Sequence, residues 1–362
     1  MVRFFKIIIT ITFLIVSFSV FISCETKDDL IWSYENGILE ISGKGMLGSY
    51  HYPAFSDDVD QRPPWEKHKN DVETIIINDG ITEISSYAFY GFINLKSISI
   101  PHSVTSIGEK AFYQCLKLES INLPDALTEI YSDAFEDCES LKEIFIPDNV
   151  ETIGVGAFAD CSSLLSITVD KTNAYYVSQN GVLYTKNYKK LIAVPASIST
   201  DIFTVPDKVE MISEDAFWGC YNIKEIVLPS TVTSIGVCAF AKCSALNKIT
   251  LPDAIEDIDD FAFADCTSLT ECILPSSLEY LPMGMFWGCM SLSDTFVIPS
   301  TISYVWSSVF DGCDSLSYIE IPNSVEYMDE SAFDGCTAIL ICEKNSYAEQ
   351  YAIEYDIEYN YA

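Results

Sequence analysis

A single phenylalanine position recurs through this chain at a nearly constant interval. Successive copies are 23 residues apart, except for one spacing of 24 and one of 59. They are Phe89, Phe112, Phe135, Phe158, Phe217, Phe240, Phe263, Phe286, Phe310 and Phe333. A period in the twenties is typical of a solenoid, in which each repeat buries its apolar face only against neighbouring repeats. We therefore expect a rod whose recurring residues form the core.

One repeat shows the local pattern. Ile98 and Ile100 alternate with serines, which predicts a strand, and Pro101 ends it because proline has no N–H to donate. Residues 104–107 form a second short extended segment, and residues 111–115 have the spacing of a single helical turn. Stacked copies would give a parallel sheet on one side, a shorter sheet on the other, and a column of phenylalanines between them. The predicted class is a mostly β solenoid of 23-residue coils.

The residue pattern of the repeat is specific. The pattern L-x-x-I-x-[IL]-P-x-x-[VL]-x-x-I-G-x-x-A-F-x-x-C recurs over about residues 72–340, with variation in single letters. It is carried by Leu118 to Cys138, Leu141 to Cys161, Ile223 to Cys243 and Leu246 to Cys266. This pattern resembles the BspA-like, or treponemal, leucine-rich repeats. The resemblance implies a leucine-rich-repeat rod at a cell surface that mediates adhesion, and it supplies no catalytic residue.

Segments outside the repeats define the expected organisation. Two apolar strands flank an Asn36-Gly37 turn, which is typical of a hairpin. Residues 173–195 contain three apolar strands separated by polar turns, which indicates a β-meander, either as a protrusion or as an enlarged repeat. We expect a signal peptide at 1–24, an N-terminal hairpin cap and loop at 25–71, a repeat array at 72–170, the meander insert at 171–201, a second array at 202–340 and a C-terminal cap at 341–362.

The first residues have the features of an export signal. Arg3 and Lys6 precede an apolar run over residues 7–22, the length of a signal-peptide core. The run ends at Cys24, before a charged stretch, and so resembles a bacterial lipoprotein signal in which Cys24 carries the lipid. An ordinary cleaved signal and an uncleaved anchor are the alternatives. We expect an exported protein that is lipid-anchored at the cell surface or otherwise secreted.

The charge balance restricts the partners. The chain has 53 acidic and 20 basic residues, for a net charge of −33. Such a field disfavours nucleic acid and anionic membrane surfaces. We therefore expect protein or glycan ligands at the cell surface, no nucleic acid, and membrane contact only through the N-terminal segment.

The cysteines follow the repeat. Nine of the 13 lie three residues after a repeat phenylalanine, and Phe92 occupies the same slot in the first repeat. A slot shared by Cys and Phe is apolar and inward, and stacked thiols that point the same way have poor disulfide geometry. We expect a buried ladder of reduced thiols rather than disulfides: Cys115, Cys138, Cys161, Cys220, Cys243, Cys266, Cys289, Cys313 and Cys336.

The sequence contains little that indicates catalysis. The three histidines, His51, His68 and His102, lie in no recognised metal or nucleophile motif. Paired carboxylates are too common in this acidic chain to identify a glycosidase site. We therefore expect no enzyme activity, no cofactor and no metal, with a carbohydrate-active enzyme as the remote alternative.

Outward aromatic residues are the candidate binding sites. Tyr280, Tyr304 and Tyr327 occupy one outward position of the second strand in consecutive repeats. Phe145 and Tyr318 point outward from the main strands. Tyrosine is favoured at interfaces, although the row of three is also compatible with a structural stacking ladder. We expect macromolecular binding or adhesion, with a self-assembly module as the competing function.

Overall fold

The structure is a computed structural model that describes residues 30–48, 50–51, 62–292 and 294–362. The expected signal segment, including Cys24, lies outside the described residues. Among the residues that are described, no helix has the length and apolar character needed to cross a membrane.

The described chain is a stack of coils with β-sheets on two opposite sides. Strands that lead into the repeat proline form the main side, in four successive sheets. They are β1 (Ile31–Glu35), β2 (Ile38–Ser42), β4 (Thr74–Ile77), β6 (Ser97–Ser99), β9 (Glu143–Ile146), β11 (Ser166–Val169), β15 (Ile202–Thr204), β17 (Glu225–Val227), β19 (Lys248–Thr250), β21 (Glu271–Ile273), β23 (Asp294–Val297), β25 (Leu316–Glu320), β27 (Ile339–Cys342) and β28 (Tyr359–Tyr361).

Shorter strands form the second side, in three sheets. They are β3 (Gly45–Met46), β5 (Ile81–Ile84), β7 (Ser106–Ile107), β8 (Glu129–Ile130), β10 (Thr152–Ile153), β12 (Tyr176–Gln179), β13 (Val182–Thr185), β14 (Lys190–Ala193), β16 (Met211–Ile212), β18 (Ser234–Ile235), β20 (Asp257–Ile258), β22 (Tyr280–Leu281), β24 (Tyr304–Val305) and β26 (Tyr327–Met328).

Neighbouring strands pair in parallel with equivalent repeat positions opposite each other. Ile98 pairs with Ile75, for example, and Ile249 pairs with Ile226. The antiparallel pairs are β1 with β2, and the meander β12–β13–β14. The extra residue in the spacing of 24 is accommodated at the start of β23, where Asp294 has a φ of 59° and the register with β25 shifts between Asp294 and Thr295.

The meander keeps the stack continuous. Its last strand, β14, pairs in parallel with β16 of the next coil. At its other end, the Tyr176 hydroxyl accepts a hydrogen bond from the Ile153 backbone N–H at 2.9 Å. The insert is therefore an enlarged coil between the two arrays.

The predicted column of phenylalanines is confirmed. Within each array, consecutive rings stack with centroids from 5.0 Å apart, for Phe217 and Phe240, to 5.9 Å apart, for Phe263 and Phe286. Among the described residues, no ring contact joins Phe158 to Phe217, so the meander divides the column in two. Trp65 extends the column at the N-terminal end by stacking on Phe89. At the other end, Phe333 contacts Tyr351 of α1 (Tyr347–Glu354) in an edge-to-face arrangement. Both ends of the core are therefore covered.

The ladder thiols lie in the core. Eight of the nine are buried and Cys336 is half-buried, and all cysteines in the described residues are free thiols. Each thiol donates to a carbonyl of the preceding coil, as Cys138 does to Phe112 at 3.3 Å and Cys266 to Phe240 at 3.1 Å. Burial raises the pKa of the Cys138 and Cys266 thiols well above the usual value. The predicted inward slot is confirmed.

The segment around each repeat phenylalanine is a run of turns that joins the two sides, and we call it the turn face. Lys110 and Gln114, two residues before and after Phe112, have φ values of 52° and 58°. The Phe112 N–H donates to Ala134 of the next coil at 2.9 Å rather than within its own turn. The coils also lie close together beside this face. A Cβ added at Gly108 would lie only 2.3 Å from the backbone nitrogen of Ser86.

Candidate binding surfaces

The three candidate tyrosines of the second side lie in register. Tyr280 pairs with Tyr304, and Tyr304 pairs with Tyr327, on the neighbouring strands β22, β24 and β26. Trp306 lies between two of the rings, with its centroid 6.5 Å from that of Tyr304 and 5.8 Å from that of Tyr327. Its side chain is 45% exposed. We call Tyr280, Tyr304, Trp306 and Tyr327 the aromatic surface.

Carboxylates hold the hydroxyls of two of these tyrosines. The Tyr280 hydroxyl donates to Asp257 Oδ1 at 2.5 Å, and the Tyr327 hydroxyl donates to Asp329 Oδ2 at 3.4 Å. Desolvation and then the hydrogen bond from its hydroxyl to Asp257 raise the pKa of Tyr280, so the phenol stays neutral and remains a donor. These hydrogen bonds fix the hydroxyls of Tyr280 and Tyr327 against the protein, and the two rings remain partly accessible to a partner.

A groove borders the aromatic surface. Its volume is about 310 Å³, and its lining includes Tyr280, Met283, Trp306, Asp259 and Asp260. Burial raises the pKa of Asp259, and the neighbouring carboxylates of Asp257 and Asp260 raise it further. The groove therefore combines apolar rings with concentrated negative charge.

The candidates on the main side are exposed but separate. Phe145 lies on β9, in a two-stranded sheet opposite Thr168. Tyr318 lies on β25, in a different sheet, between Thr295 and Ile339. The structure therefore does not bring Phe145 and Tyr318 together.

Sequence reasoning missed Trp306. This residue directly follows a second-side strand, the position held by Gly108, Gly154 and Gly236 in other coils. At those glycines the preceding coil leaves no room for a side chain. A tryptophan where the repeat elsewhere has glycine was the signal that could have identified it.

A polar cluster joins the two arrays across the meander. Asp160 accepts hydrogen bonds from Lys242 Nζ at 2.9 Å, from Trp218 Nε1 at 3.4 Å and from the Tyr221 hydroxyl. Burial alone would raise the pKa of Asp160, but these hydrogen bonds and the charge of Lys242 hold it below its ordinary value. The cluster therefore stabilises the junction.

The same junction contains carboxyl groups whose surroundings disfavour the ionised form. Burial, and then the charges of Glu214 and Asp133, raise the pKa of Asp215 to about 8. Burial and Asp133 raise the pKa of Glu136 to about 7. The described residues contain no group of three or more His, Cys, Asp or Glu side chains that could hold a metal ion.

The histidines lie apart from the aromatic surface in the sequence and in the fold. His68 stacks on Tyr34 with centroids 4.1 Å apart in the N-terminal hairpin region. Burial and then the charge of Lys67 lower the pKa of His68. His51 and His102 are exposed. The geometry assigns His68 a packing contact rather than a catalytic partner.

The chain is similar to known repeat proteins. A family model described as a BspA type leucine rich repeat region matches residues 67–185 and 210–340 in six copies. A solved leucine-rich repeat protein from Eubacterium ventriosum is 26% identical, with 86% of this chain and 93% of that chain covered and a TM-score of 0.70. None of the curated proteins is significantly similar to this chain.

Two further solved structures share the fold. A leucine rich cell surface protein from Faecalibacterium prausnitzii is 24% identical, over 92% of this chain and 97% of that chain, with a TM-score of 0.55. The pneumococcal vaccine antigen PcpA is 18% identical, over 94% of this chain and 99% of that chain, with a TM-score of 0.57. Because the family model matches more than half of the sequence and the predicted solenoid is the observed fold, the chain belongs to the BspA-type leucine-rich repeat family.

Proposed function

We propose that this protein is exported, is displayed at the cell surface, and binds other macromolecules there through the aromatic surface. The observation that carries the proposal is the register of Tyr280, Tyr304 and Tyr327 on paired strands, with Tyr304, Trp306 and Tyr327 exposed and the Tyr280 side chain half-buried beside them. Tyrosine and tryptophan dominate interface energetics because they bury a large area at a low cost in conformational entropy. Solenoids of this kind use their extended surfaces for binding.

The contacts favour a binding surface over a stacking ladder. Trp306 contacts both Tyr304 and Tyr327, but within the described residues no ring contact joins one of the three tyrosines directly to another, so the tyrosines themselves do not form a continuous stack. Tyr304 and Trp306 are each more than two-fifths exposed, which leaves much of their apolar area in water. A contiguous apolar patch of this kind marks interaction sites on soluble proteins. Adhesion to host or matrix proteins, or to other cells, is the role that we assign to it.

A serine triple variant tests the aromatic surface. Tyr280, Tyr304 and Tyr327 are replaced together, and binding is measured against purified extracellular-matrix proteins and glycans. Loss of one buried interface tyrosine costs about 2 kcal/mol, so we expect at least tenfold weaker binding. The matched control replaces Phe145 and Tyr318 with Ser on the main side, and it should bind like wild type.

Thermal unfolding separates binding from stability. Weaker binding with an unchanged unfolding midpoint supports the proposal. A lowered midpoint with intact binding would mean that the row only stabilises the rod, since cross-strand pairs contribute about 0.2–1 kcal/mol each.

We further propose that a lipid on Cys24 anchors the rod. The supporting features are the apolar run before Cys24 and the charged residues after it. Replacement of Cys24 by Ser should abolish partitioning into detergent and release the chain. A wild-type protein that is released, with an N-terminus at another residue, would contradict the anchor.

A further inference from the structure

The turn face contains a slot between two tryptophans. In four consecutive coils, the residue directly after the repeat phenylalanine is Trp218, Ala241, Ala264 and Trp287. The two alanines are buried, and the tryptophans lie three coils apart, about 14 Å at about 4.8 Å per coil. The slot has a volume of about 190 Å³, and its remaining lining is Cys238, Lys242, Phe261 and Asp265.

Both tryptophans are held from outside the slot. Trp218 Nε1 donates to Asp160 at 3.4 Å, and Trp287 Nε1 donates to Asp311 at 3.2 Å. Asp160 belongs to the coil that precedes the meander, and Asp311 belongs to the coil after Trp287. The polar edges of the indoles are thus occupied, Lys242 Nζ lies over the Trp218 ring, and the remaining carbon surfaces of both indoles line the slot. Such positioning before binding reduces the entropy lost on association.

The core does not require aromatic residues at these positions. The equivalent residue is Glu136 in one coil and Asp334 in another, so the position also accommodates polar side chains. Trp287 is 40% exposed. Phe261 also enters the slot, and Gly284 leaves room for it, because a Cβ there would lie 2.2 Å from Phe261 Cε1. The slot is therefore an aromatic-walled recess that folding does not explain.

The charged residues that line the slot favour a cationic ligand. No donor among the described residues hydrogen-bonds to the Asp265 carboxylate, whereas Lys242 is already paired with Asp160 at 2.9 Å. Aromatic faces together with a carboxylate that accepts no hydrogen bond suit a cation, as the Lys242 Nζ, 5.0 Å from the Trp218 ring centroid, already illustrates. The net charge of −33 attracts basic partners over a longer range. A neutral sugar would use the rings but not this charge.

The volume of the slot limits the size of the ligand. Typical small-molecule sites have about 300–1,000 Å³, so this slot accommodates a side chain rather than a whole cofactor. Arginine fits best among the cations, because its planar guanidinium stacks on aromatic faces and pairs with a carboxylate in the same plane.

We propose that the slot between Trp218 and Trp287 binds an arginine or lysine side chain from a basic segment of a protein partner. The cation lies against the aromatic walls and pairs with Asp265, and the apolar stem of the side chain lies over Ala241 and Ala264. This inference deepens the proposed binding function and rests on it, because the segment belongs to a macromolecule that the rod recognises.

Fluorine NMR of the full chain tests the slot at single residues. The five tryptophans are labelled with 5-fluorotryptophan and assigned with single Trp→Phe variants. The probe is the peptide acetyl-Gly-Gly-Arg-Gly-Gly-amide, and its control carries citrulline, which has the same shape without the charge. We expect saturable shifts of Trp218 and Trp287 but not of Trp306, at least tenfold weaker binding of the citrulline peptide, and weaker binding in about 0.5 M NaCl.

Variants within the slot provide the second arm. Ala264→Leu fills the floor and Trp287→Ala removes a wall, so each should abolish the response of Trp218. Asp265→Asn keeps the shape and should weaken binding about tenfold. The matched control Trp306→Ala should respond like wild type. Unfolding midpoints are recorded for every variant, and Asp265→Asn, the mildest change, keeps the test valid if another variant fails to fold.

The outcomes separate the slot from the aromatic surface. Equal binding of the arginine and citrulline peptides, or shifts confined to Trp306, overturns the slot. So does saturation of Trp218 and Trp287 by tri-N-acetylchitotriose without a response to the arginine peptide. If the tyrosine triple variant loses a matrix partner while the arginine peptide gives no response, the slot is wrong and the aromatic surface stands.

Discussion

Removal of one ring from the phenylalanine column should be among the most damaging changes in the rod. Phe240 is fully buried, with its ring centroid 5.0 Å from Phe217 and 5.1 Å from Phe263. Phe→Ala in a core costs about 3–5 kcal/mol of unfolding free energy. We expect Phe240→Ala near the upper value, because backbone hydrogen bonds of 2.8 Å (Phe217 N–H to Ala239) and 2.9 Å (Phe240 N–H to Ala262) fix the coils and prevent collapse of the cavity.

Urea unfolding followed by circular dichroism measures this cost. Phe333→Ala is the matched control, because Phe333 has one stacked neighbour, Phe310, and otherwise an edge contact with Tyr351. The control should cost about 3 kcal/mol or less. A cost below about 1 kcal/mol for Phe240→Ala, or a larger cost for Phe333→Ala, would refute the argument that the column carries the stability of the rod.

Three further predictions follow from the core and the junction. Thiol reagents should react little with the native ladder cysteines and with all of them after denaturation, whereas recovery of most of them as disulfides would contradict the buried ladder. Gly108→Ala should destabilise the chain by about 1–3 kcal/mol in urea, because the new Cβ meets the Ser86 backbone; a neutral effect would show that the coils can separate. The pKa of Asp215 is raised from 3.8 to about 8, so the folded state retains a proton that the unfolded state releases, and stability falls as the pH rises through that range. Asp215→Asn should therefore raise the unfolding midpoint more at pH 8 than at pH 4, and an equal shift at both would contradict the raised pKa.

The periodic part of the fold was predictable from the sequence because the same side chains meet in every coil. The spacing of the repeat phenylalanines gave the column, and the slot shared by Phe92 and the cysteines gave the thiol ladder. Parallel in-register pairing also follows, since any other register would move apolar side chains such as Ile98 to the wrong face.

The surfaces were only partly predictable. The register of Tyr280, Tyr304 and Tyr327 follows from the repeat. The position of the Trp306 ring between Tyr304 and Tyr327 depends on the conformation of the Trp306 side chain, which the repeat pattern does not give. The slot depends on two tryptophans, Trp218 and Trp287, at a repeat position that holds alanine in the two coils between them. The Asp160 cluster joins residues up to 82 positions apart, across an insert whose pairing the sequence leaves open.

Footprinting of a bound complex locates the surface that contacts the partner. The chain is saturated with a matrix protein or glycan that it binds, and exposed side chains are oxidised with hydroxyl radicals and quantified by mass spectrometry. We expect protection of Tyr280, Tyr304, Trp306 and Tyr327, with Phe145 and Tyr318 oxidised as in the free chain. Protection confined to the main side, or no change at the aromatic surface, would contradict it.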